Sequence, residues 1–339
     1  MKLTVDELRR IACGAEYITE EDGLVHFHRF TAEQEALYAK EKPKFLSKVY
    51  ATAGVCLSFL TDSETLVLSA VATVGSTRTF FSVDVTVDGV LLDSLDNFTE
   101  AQLPPIYNKV DCPLGSFSKT FSLGKGEKTV KIHLPWSVCL ALKDVTLDDG
   151  AMLVPVKPEK QLLVFGDSIT QGYDALRPTR RYAAALADAL GAEEYNKAIG
   201  GEQFYPALAD TDEPFCPAYI SVAYGTNDWC RTDVTTFMQR CRDLYGALRR
   251  RYPAAHILAI SPIYRKDCDE EKGFAPFASI ASYIEDAVSG ISDVTCIRGS
   301  ELVPEDNALF ADGGLHPNDR GFACYIAGVR RALGKAGIL

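Results

Sequence analysis

The sequence predicts two domains of different class, an N-terminal all-β sandwich or jelly roll and a C-terminal α/β domain with a parallel sheet. The chain has 339 residues, which is enough for two domains of roughly 150 residues each. Residues 45–148 alternate apolar and polar side chains in short runs, whereas strand-like and helix-like runs alternate after Asp148-Asp149-Gly150. We therefore expect one domain over residues 1–150 and a second over residues 158–339, with a proline-containing linker between them.

The first half of the chain carries evenly spaced strand signals. Residues 65–71 and 81–87 alternate in polarity, and the second run ends in Asp88-Gly89, which strongly predicts a two-residue hairpin turn. Similar runs cover residues 129–134 and 141–147. Strands spaced in this way, without helical patterns between them, are typical of an antiparallel sandwich or jelly roll. Residues 1–44 show no sustained periodicity, so we expect irregular chain there with one short helix over residues 32–40.

The second half alternates strand and helix signals. Apolar residues recur at helical spacing in two segments, from Val234 to Leu248 and from Phe277 to Val288. This alternation predicts a parallel sheet with helices on both faces. In such sheets ligands bind beyond the carboxyl ends of the strands. The strand-like runs are residues 161–165, 219–224, 256–261 and 294–297.

Composition excludes several classes of protein. Apolar residues make up 47% of the chain and charged residues 24%, as in ordinary globular proteins. The net charge of -11, with no local cluster of basic residues, argues against nucleic acid as a partner. No apolar run approaches the length of about 18 residues that a membrane span needs, and the N-terminus lacks the pattern of a signal peptide. The ten cysteines are scattered without a C-x-x-C pair, so we expect reduced thiols and a cytoplasmic location.

The first strand of the second half leads directly into Gly166-Asp167-Ser168. Glycine allows a sharp turn and a close approach by a ligand. Ser168 then lies at the mouth of the sheet just before helix-like sequence, where a backbone N–H can face an anion. Such a serine is a candidate nucleophile if a base reaches it. The alternative is an ordinary strand-to-helix cap, because Asp and Ser both cap helices well.

Three later segments also place polar residues at strand ends. Asn196 precedes a pair of glycines, Asn227 lies in a glycine-flanked turn, and His316 lies just before a proline and a helix. The amide of Asn227 can donate to a developing oxyanion, and a neutral imidazole suits a general base near pH 7. Each segment also has an ordinary structural alternative, as turn glycines, a turn asparagine or a structural loop histidine.

Taken in order, the blocks Gly-Asp-Ser, Asn-x-x-x-x-Gly, Gly-x-Asn-Asp and Asp…His-Pro-Asn resemble those of the SGNH (GDSL) hydrolases. That family consists of serine hydrolases with a flavodoxin-like three-layer fold. The resemblance implies that Ser168 is the nucleophile and also an oxyanion donor through its backbone N–H. It implies Gly201 as a second oxyanion donor, with Gly200 as the alternative, Asn227 as the third donor and His316 as the general base. It implies neither a metal nor an organic cofactor.

The carboxylate departs from the family pattern. In the family an aspartate usually precedes the histidine by three residues, whereas Asp312 precedes His316 by four. The loop can absorb the extra glycine, leaving Asp312 to orient His316 in a Ser-His-Asp triad. The glycine can equally displace the carboxylate, leaving a Ser-His dyad oriented by a backbone carbonyl.

Three residues near these blocks are candidate substrate contacts, namely Tyr173, Gly200 and Trp229; for Trp229 a place in the core is an equal alternative. His26 and His28 would share one strand face, but no third ligand lies at suitable spacing, so we expect no metal site.

The resemblance implies a serine esterase that removes short acyl groups, acetyl above all, from a carbohydrate or related small molecule. Its partner would be a small-molecule or oligosaccharide ester. A β domain before such a hydrolase resembles the arrangement of carbohydrate esterases and of acyltransferase-like relatives. Because Trp136 is the single tryptophan of this half, we expect the β domain to pack or to shape the cleft rather than to bind sugar. The alternatives are an acyltransferase that uses the same acyl-enzyme with an alcohol acceptor, and a non-catalytic carbohydrate-binding protein.

Overall fold

The N-terminal half of the computed structural model, which describes residues 1–271 and 273–339, is a sandwich of two antiparallel sheets. One sheet has the order β1-β4-β9-β6-β7, with β11 paired to β4, and the other has the order β2-β3-β10-β5-β8. Their facing side chains form one apolar core. In chain order the strands are β1 Ala12–Cys13, β2 Tyr17–Glu21, β3 Leu24–His28, β4 Cys56–Thr61, β5 Thr65–Val74, β6 Ser82–Val87, β7 Val90–Asp96, β8 Gly115–Ser122, β9 Lys128–His133, β10 Val138–Leu147 and β11 Val154–Pro155.

The strands follow the polarity pattern of the sequence. In β5 every second residue from Leu66 to Ala72 is buried, as expected for a strand with one face on the core. The β6–β7 hairpin turns at Asp88 and Gly89, which have φ values of 49° and 79°. Two successive positive φ values are those of the turn that Asp-Gly favours, so the hairpin prediction is confirmed.

The expectation of irregular chain over residues 1–44 is wrong. This segment holds the helices α1 Val5–Ile11 and α2 Ala32–Glu41 together with strands β1 to β3, and α3 Leu46–Val49 follows. Both longer helices begin with a capping box, in which Thr4 pairs with Glu7 and Thr31 with Gln34. The short helix expected over residues 32–40 corresponds to α2.

The C-terminal half is a three-layer α/β domain with five parallel strands in the order β13-β12-β14-β15-β16. Numbered within the domain this order is 2-1-3-4-5, that of flavodoxin, which confirms the predicted fold class. Helices α5 and α9 cover one face of the sheet, and α7 and α8 cover the other. The elements are β12 Lys160–Gly166, α4 Ser168–Gln171, α5 Tyr182–Leu190, β13 Ala192–Asn196, α6 Pro206–Ala209, β14 Tyr219–Ala223, α7 Val234–Arg251, β15 His256–Ile260, α8 Ile280–Val288, β16 Val294–Ile297 and α9 Asp319–Lys335.

The two halves are joined through a buried arginine and a shared core. Arg29 is fully buried and its guanidinium donates to peptide oxygens of Lys48 and Ala51 on one side, at 2.7 and 2.8 Å. On the other side it donates to the peptide oxygens of Asn196 and Ala198 at 2.6 and 2.9 Å. Apolar residues of the segment that contains α2 and α3 also pack into the core of the α/β domain. The N-terminal half therefore reaches the loop that follows β13.

No helix in the part of the chain that the structure describes is both long and apolar enough to cross a membrane.

Candidate active site

Ser168 lies where β12 turns into α4, at the point where the strand order of the sheet reverses. Gly166 makes this turn possible, because a Cβ atom there would lie 2.2 Å from Thr170 Oγ1. The helix cap is Asp167, whose side chain accepts a hydrogen bond from the Ile169 N–H at 3.0 Å. The capping role therefore falls to Asp167 and leaves the hydroxyl of Ser168 available for other contacts.

That hydroxyl meets the imidazole of His316. Ser168 Oγ lies 2.8 Å from His316 Nε2, within hydrogen-bond distance. The loop that carries His316 is fixed by its own backbone, since the Ala311 N–H donates to the His316 carbonyl at 2.9 Å. A serine and a histidine separated by about 150 positions are thus paired, as a nucleophile and its general base need to be.

Asp312 completes a hydrogen-bonded chain with these two residues. Its Oδ2 lies 2.7 Å from His316 Nδ1. Its Oδ1 accepts hydrogen bonds from the backbone N–H groups of Gly314, Leu315 and His316 at 3.1, 2.8 and 3.0 Å. Burial opposes ionisation, but the imidazole and these N–H groups outweigh it and hold the pKa of Asp312 well below its usual range.

The loop absorbs the extra glycine of the Asp-Gly-Gly-Leu-His segment. Gly313 and Gly314 have φ values of 80° and 158°, a conformation that favours glycine. At Gly314 a side chain would also collide, because a Cβ atom would lie 2.3 Å from Lys266 Cβ. The two glycines thus let Asp312 face His316 across four positions, so the geometry is that of a triad rather than a dyad.

Backbone donors beside Ser168 are open for an oxyanion. Among the described residues, the N–H groups of Ser168 and Gly201 donate to no protein acceptor. The N–H of Gly200 is occupied, because it donates to Gln171 Oε1 at 2.8 Å. Asn227 Nδ2 donates one hydrogen to the Glu202 carbonyl at 3.0 Å and retains the other. The hydrogen bonding therefore favours Gly201 over Gly200 as a donor.

The structure places the three candidate substrate contacts differently from expectation. Trp229 has no exposed surface and its Nε1 donates to the Ala275 carbonyl at 2.7 Å, so its assignment as a substrate contact is wrong and it packs in the core. Gly200 is buried, with its N–H already paired. Tyr173 is 3% exposed and packs on the imidazole of His316, with ring centroids 5.4 Å apart. Tyr173 therefore supports the histidine and offers little surface to a substrate.

A second carboxylate beside the histidine was missed from the sequence. Asp174 is fully buried with a left-handed φ of 69°, and its Oδ2 lies 3.7 Å from His316 Nδ1. Arg78 of the sandwich holds both of its oxygens, with Nε–Oδ1 and Nη2–Oδ2 distances of 2.6 and 2.9 Å. Tyr107, also from the sandwich, donates to the Asp174 carbonyl at 2.6 Å and to the Ala311 carbonyl through its N–H at 3.2 Å. No local sequence pattern predicts these contacts, because they join segments far apart in the chain.

One group of potential metal ligands exists within the described residues, formed by Asp174, Asp312 and His316. The potential ligand atoms of these three residues already have protein partners. Arg78 holds Asp174, and His316 lies between Asp312 and Ser168. A cation there would have to displace the arginine, so the arrangement fits the triad better than a metal site.

The hydrogen-bonded Ser-His-Asp chain, placed at the switch point of a flavodoxin-like sheet beside open N–H donors, defines the class of serine hydrolases. Residues 164–324 match the family of GDSL-like lipases and acylhydrolases. The matched residues lie in the α/β domain, and this domain is that of an SGNH-type hydrolase.

Solved structures superpose on most of both halves of the chain. A salicylyl-acyltransferase from a tetracycline biosynthetic pathway superposes with a TM-score of 0.78 at 22% identity, over 97% of this chain and 95% of that one. A GDSL-like lipase from Bacteroides ovatus gives 0.76 at 19% identity, over 99% and 97%. A family two carbohydrate esterase from Clostridium thermocellum, in complex with cellohexaose, gives 0.63 at 18% identity, over 85% and 94%. At these identities the likeness concerns the fold. A comparison with curated protein sequences gave no match.

Proposed function

We propose that this acylhydrolase is a serine esterase that removes short acyl groups, acetyl above all, from a carbohydrate or a related small molecule. The observation that carries the proposal is the continuous chain of hydrogen bonds from Ser168 through His316 to Asp312, at 2.8 and 2.7 Å. The supporting observation is the pair of open N–H groups at Ser168 and Gly201.

In the proposed reaction, Ser168 Oγ attacks the ester carbonyl while its proton moves to His316 Nε2. The tetrahedral oxyanion accepts hydrogen bonds from the N–H groups of Ser168 and Gly201 and from the amide of Asn227. The intermediate collapses as His316 returns the proton to the departing alcohol, leaving an acyl group on Ser168. Water then attacks the acyl-enzyme with His316 as its base, and the carboxylic acid and free serine are released. Asp312 keeps the Nδ1 proton in place and stabilises the imidazolium.

The substrate class in this proposal follows the family resemblance and the fold shared with carbohydrate esterases. A second candidate, an acyltransferase in which an alcohol replaces water, is favoured by the fold shared with a salicylyl-acyltransferase over nearly the whole chain. Both reactions pass through the same acyl-enzyme. The cytoplasmic location inferred from the scattered cysteines is part of the proposal, and cell fractionation tests it.

The first test compares hydrolysis of p-nitrophenyl acetate, butyrate and octanoate by the wild type and by the Ser168→Ala, His316→Ala and Asn227→Ala variants. We expect a preference for acetate, a loss of at least about 10³-fold in kcat for Ser168→Ala and His316→Ala, and a loss of about 10²–10³-fold for Asn227→Ala. The matched control is Ser292→Ala, which removes an exposed hydroxyl remote from the site.

Turnover that persists in Ser168→Ala would exclude Ser168 as the nucleophile. Adding acceptor alcohols and analysing the products separates the two candidate reactions, because a transferase forms a new ester at the expense of free acid. A protein that binds acylated sugar without any turnover, and binds it equally after Ser168→Ala, would be a carbohydrate-binding protein.

A further inference from the structure

Two cationic side chains converge on Gly201. A Cβ atom placed on this glycine would lie 3.8 Å from Lys48 Nζ and 3.9 Å from Arg231 Nη1. Lys48 belongs to α3 of the N-terminal half, and Arg231 lies in the turn between β14 and α7. Two cations from distant parts of the chain therefore flank the glycine that we propose as an oxyanion donor.

Neither cation is neutralised by an ion pair. Lys48 Nζ donates to the Gly200 carbonyl at 2.5 Å, and Arg231 Nη1 donates to the Gly201 carbonyl at 3.0 Å. Among the described residues, no carboxylate lies within ion-pair distance of either side chain. The nearest acidic influence on Lys48 is Glu202, and that carboxylate is already paired with Lys42 at 2.7 Å.

The surroundings of Lys48 are positive overall. Besides Arg231, Lys44 and Arg78 also act on it, and Arg78 is paired with Asp174. Burial and then the neighbouring Arg231 lower the pKa of Lys48, which is the mark of a cation without a compensating anion. A positive patch of this kind stands out in a chain with a net charge of -11.

A cation can hold loop carbonyls without binding a ligand, as the fully buried Arg29 does with four peptide oxygens. Lys48 and Arg231 differ from Arg29, because Lys48 is half-buried and Arg231 is exposed. An ammonium carries three donors and a guanidinium carries five. Each side chain uses one of them on the glycine loop. The remaining donors are available to a ligand that approaches the loop of Gly200 and Gly201.

We propose that the substrate is an ester that bears an anionic group, a carboxylate or a phosphate, and that Lys48 and Arg231 bind this group. The proposal rests on the proposed esterase function and adds the charge of its substrate. The anion can belong to the acyl part or to the alcohol part of the ester, and both sources share the same recognition chemistry. Charge-assisted hydrogen bonds to two cations would then select the substrate.

The test uses two pairs of esters that differ in charge and hardly in shape. With the charge on the alcohol side, 4-acetoxybenzoate is compared with 4-acetoxybenzamide. With the charge on the acyl side, the monophenyl ester of adipic acid is compared with the phenyl ester of its monoamide. We expect the wild type to prefer the anionic member of one pair by about ten-fold in kcat/KM, a ratio that falls with added salt. The pair that shows the preference identifies which part of the ester carries the charge.

The variants are Lys48→Gln and Arg231→Gln, which keep an N–H donor for the loop carbonyl and remove the charge. Each should lower the anionic-to-neutral ratio several-fold. The control Lys125→Gln removes an exposed charge from a distant turn of the sandwich and should leave the ratio unchanged. The ratio is the readout because a disturbed oxyanion loop would slow both members of a pair equally.

Equal kcat/KM values within both pairs, with turnover that requires Ser168, would overturn the charge proposal and leave the esterase intact. An unchanged ratio in both variants, with both rates lowered together, would assign Lys48 and Arg231 to holding the loop and would also overturn it. Turnover independent of Ser168 would instead contradict the esterase proposal. In that case calorimetry of 4-acetoxybenzoate and 4-acetoxybenzamide on the Ser168→Ala protein still tests the charge proposal, which requires tighter binding of the anion.

Discussion

Replacing Asp312 by asparagine should damage catalysis more than replacing it by alanine. The Oδ1 of Asp312 accepts three backbone hydrogen bonds, and its Oδ2 faces His316 Nδ1 at 2.7 Å. An asparagine in this position would keep its oxygen on the three N–H groups and turn its N–H₂ group toward Nδ1. The imidazole would then accept a hydrogen bond at Nδ1 and carry its own proton on Nε2. A protonated Nε2 cannot take up the proton of Ser168. We expect kcat to fall by about 10⁴-fold, as for a triad held in the wrong tautomer.

Asp312→Ala removes the carboxylate without imposing that tautomer. The Nδ1–H group then lies 3.7 Å from Asp174 Oδ2, close enough for a small movement of the ring to form a hydrogen bond. The imidazole loses one charge-assisted hydrogen bond, about 1.5–3 kcal/mol. At about 1.4 kcal/mol for each factor of ten, this predicts a loss of roughly 10- to 150-fold in kcat. The three backbone N–H groups also lose their acceptor, and the thermal midpoint reports the effect of that loss on folding.

The assay measures kcat for p-nitrophenyl acetate hydrolysis and the thermal midpoint of each variant. Asp286→Asn, at an exposed position of α8, serves as the matched control. An alanine variant as slow as the asparagine variant, with both folded, would refute the role given to Asp174 as a substitute carboxylate. A loss below ten-fold in both variants would refute the triad itself.

Two further predictions concern buried charges. Arg78→Met should leave the Asp174 carboxylate, which has no exposed surface, without its ion-pair partner. We expect the free energy of unfolding to fall by about 3–5 kcal/mol and kcat to fall as well. An unchanged urea denaturation curve would contradict this. Burial raises the pKa of Asp228 to about 7 in the folded protein, so the stability that its neutral form allows is present at low pH and is lost as the pH rises through 7. Between pH 5 and pH 8 the free energy of unfolding should therefore fall less for Asp228→Asn than for the wild type, by up to a few kcal/mol. Urea denaturation measures this change, and an equal fall in both proteins would rule the prediction out.

Local patterns in the sequence were sufficient for most of the scaffold. The alternation of polarity predicted the sandwich and the hairpin at Asp88-Gly89, because side chains of a strand point alternately to the two faces. The first 44 residues were misread although Thr4 and Glu7, like Thr31 and Gln34, carry the spacing of a capping box. These helices are too short for their apolar periodicity to be recognised. The capping boxes at their N-termini were the informative signal.

Some residues of the candidate site could likewise be predicted from the sequence, and others could not. Ser168 and Asn227 could be found from the sequence because each closely follows a strand of the parallel sheet, and the carboxyl ends of such strands meet at one edge. His316 lies well beyond the end of β16 at Ile297, and the resemblance of its segment to a family motif pointed to it. The substrate contact assigned to Trp229 failed because the residue after a glycine turn can point inward as readily as outward, and here the core takes the indole.

The sequence by itself determined the class of both domains, the hairpin and the residues that meet at the carboxyl edge of the sheet, since these depend on side-chain polarity and on spacing along the chain. Only the tertiary structure decided that two positive-φ glycines bring Asp312 onto His316, that Arg78 and Asp174 stand behind the histidine, and that Lys48 reaches Gly201. The Asp312–His316 contact is local and depends on the backbone conformation of the two glycines, whereas the other contacts join segments far apart in the chain. Their distances are set by how the sandwich packs on the α/β domain, and no local pattern encodes that packing.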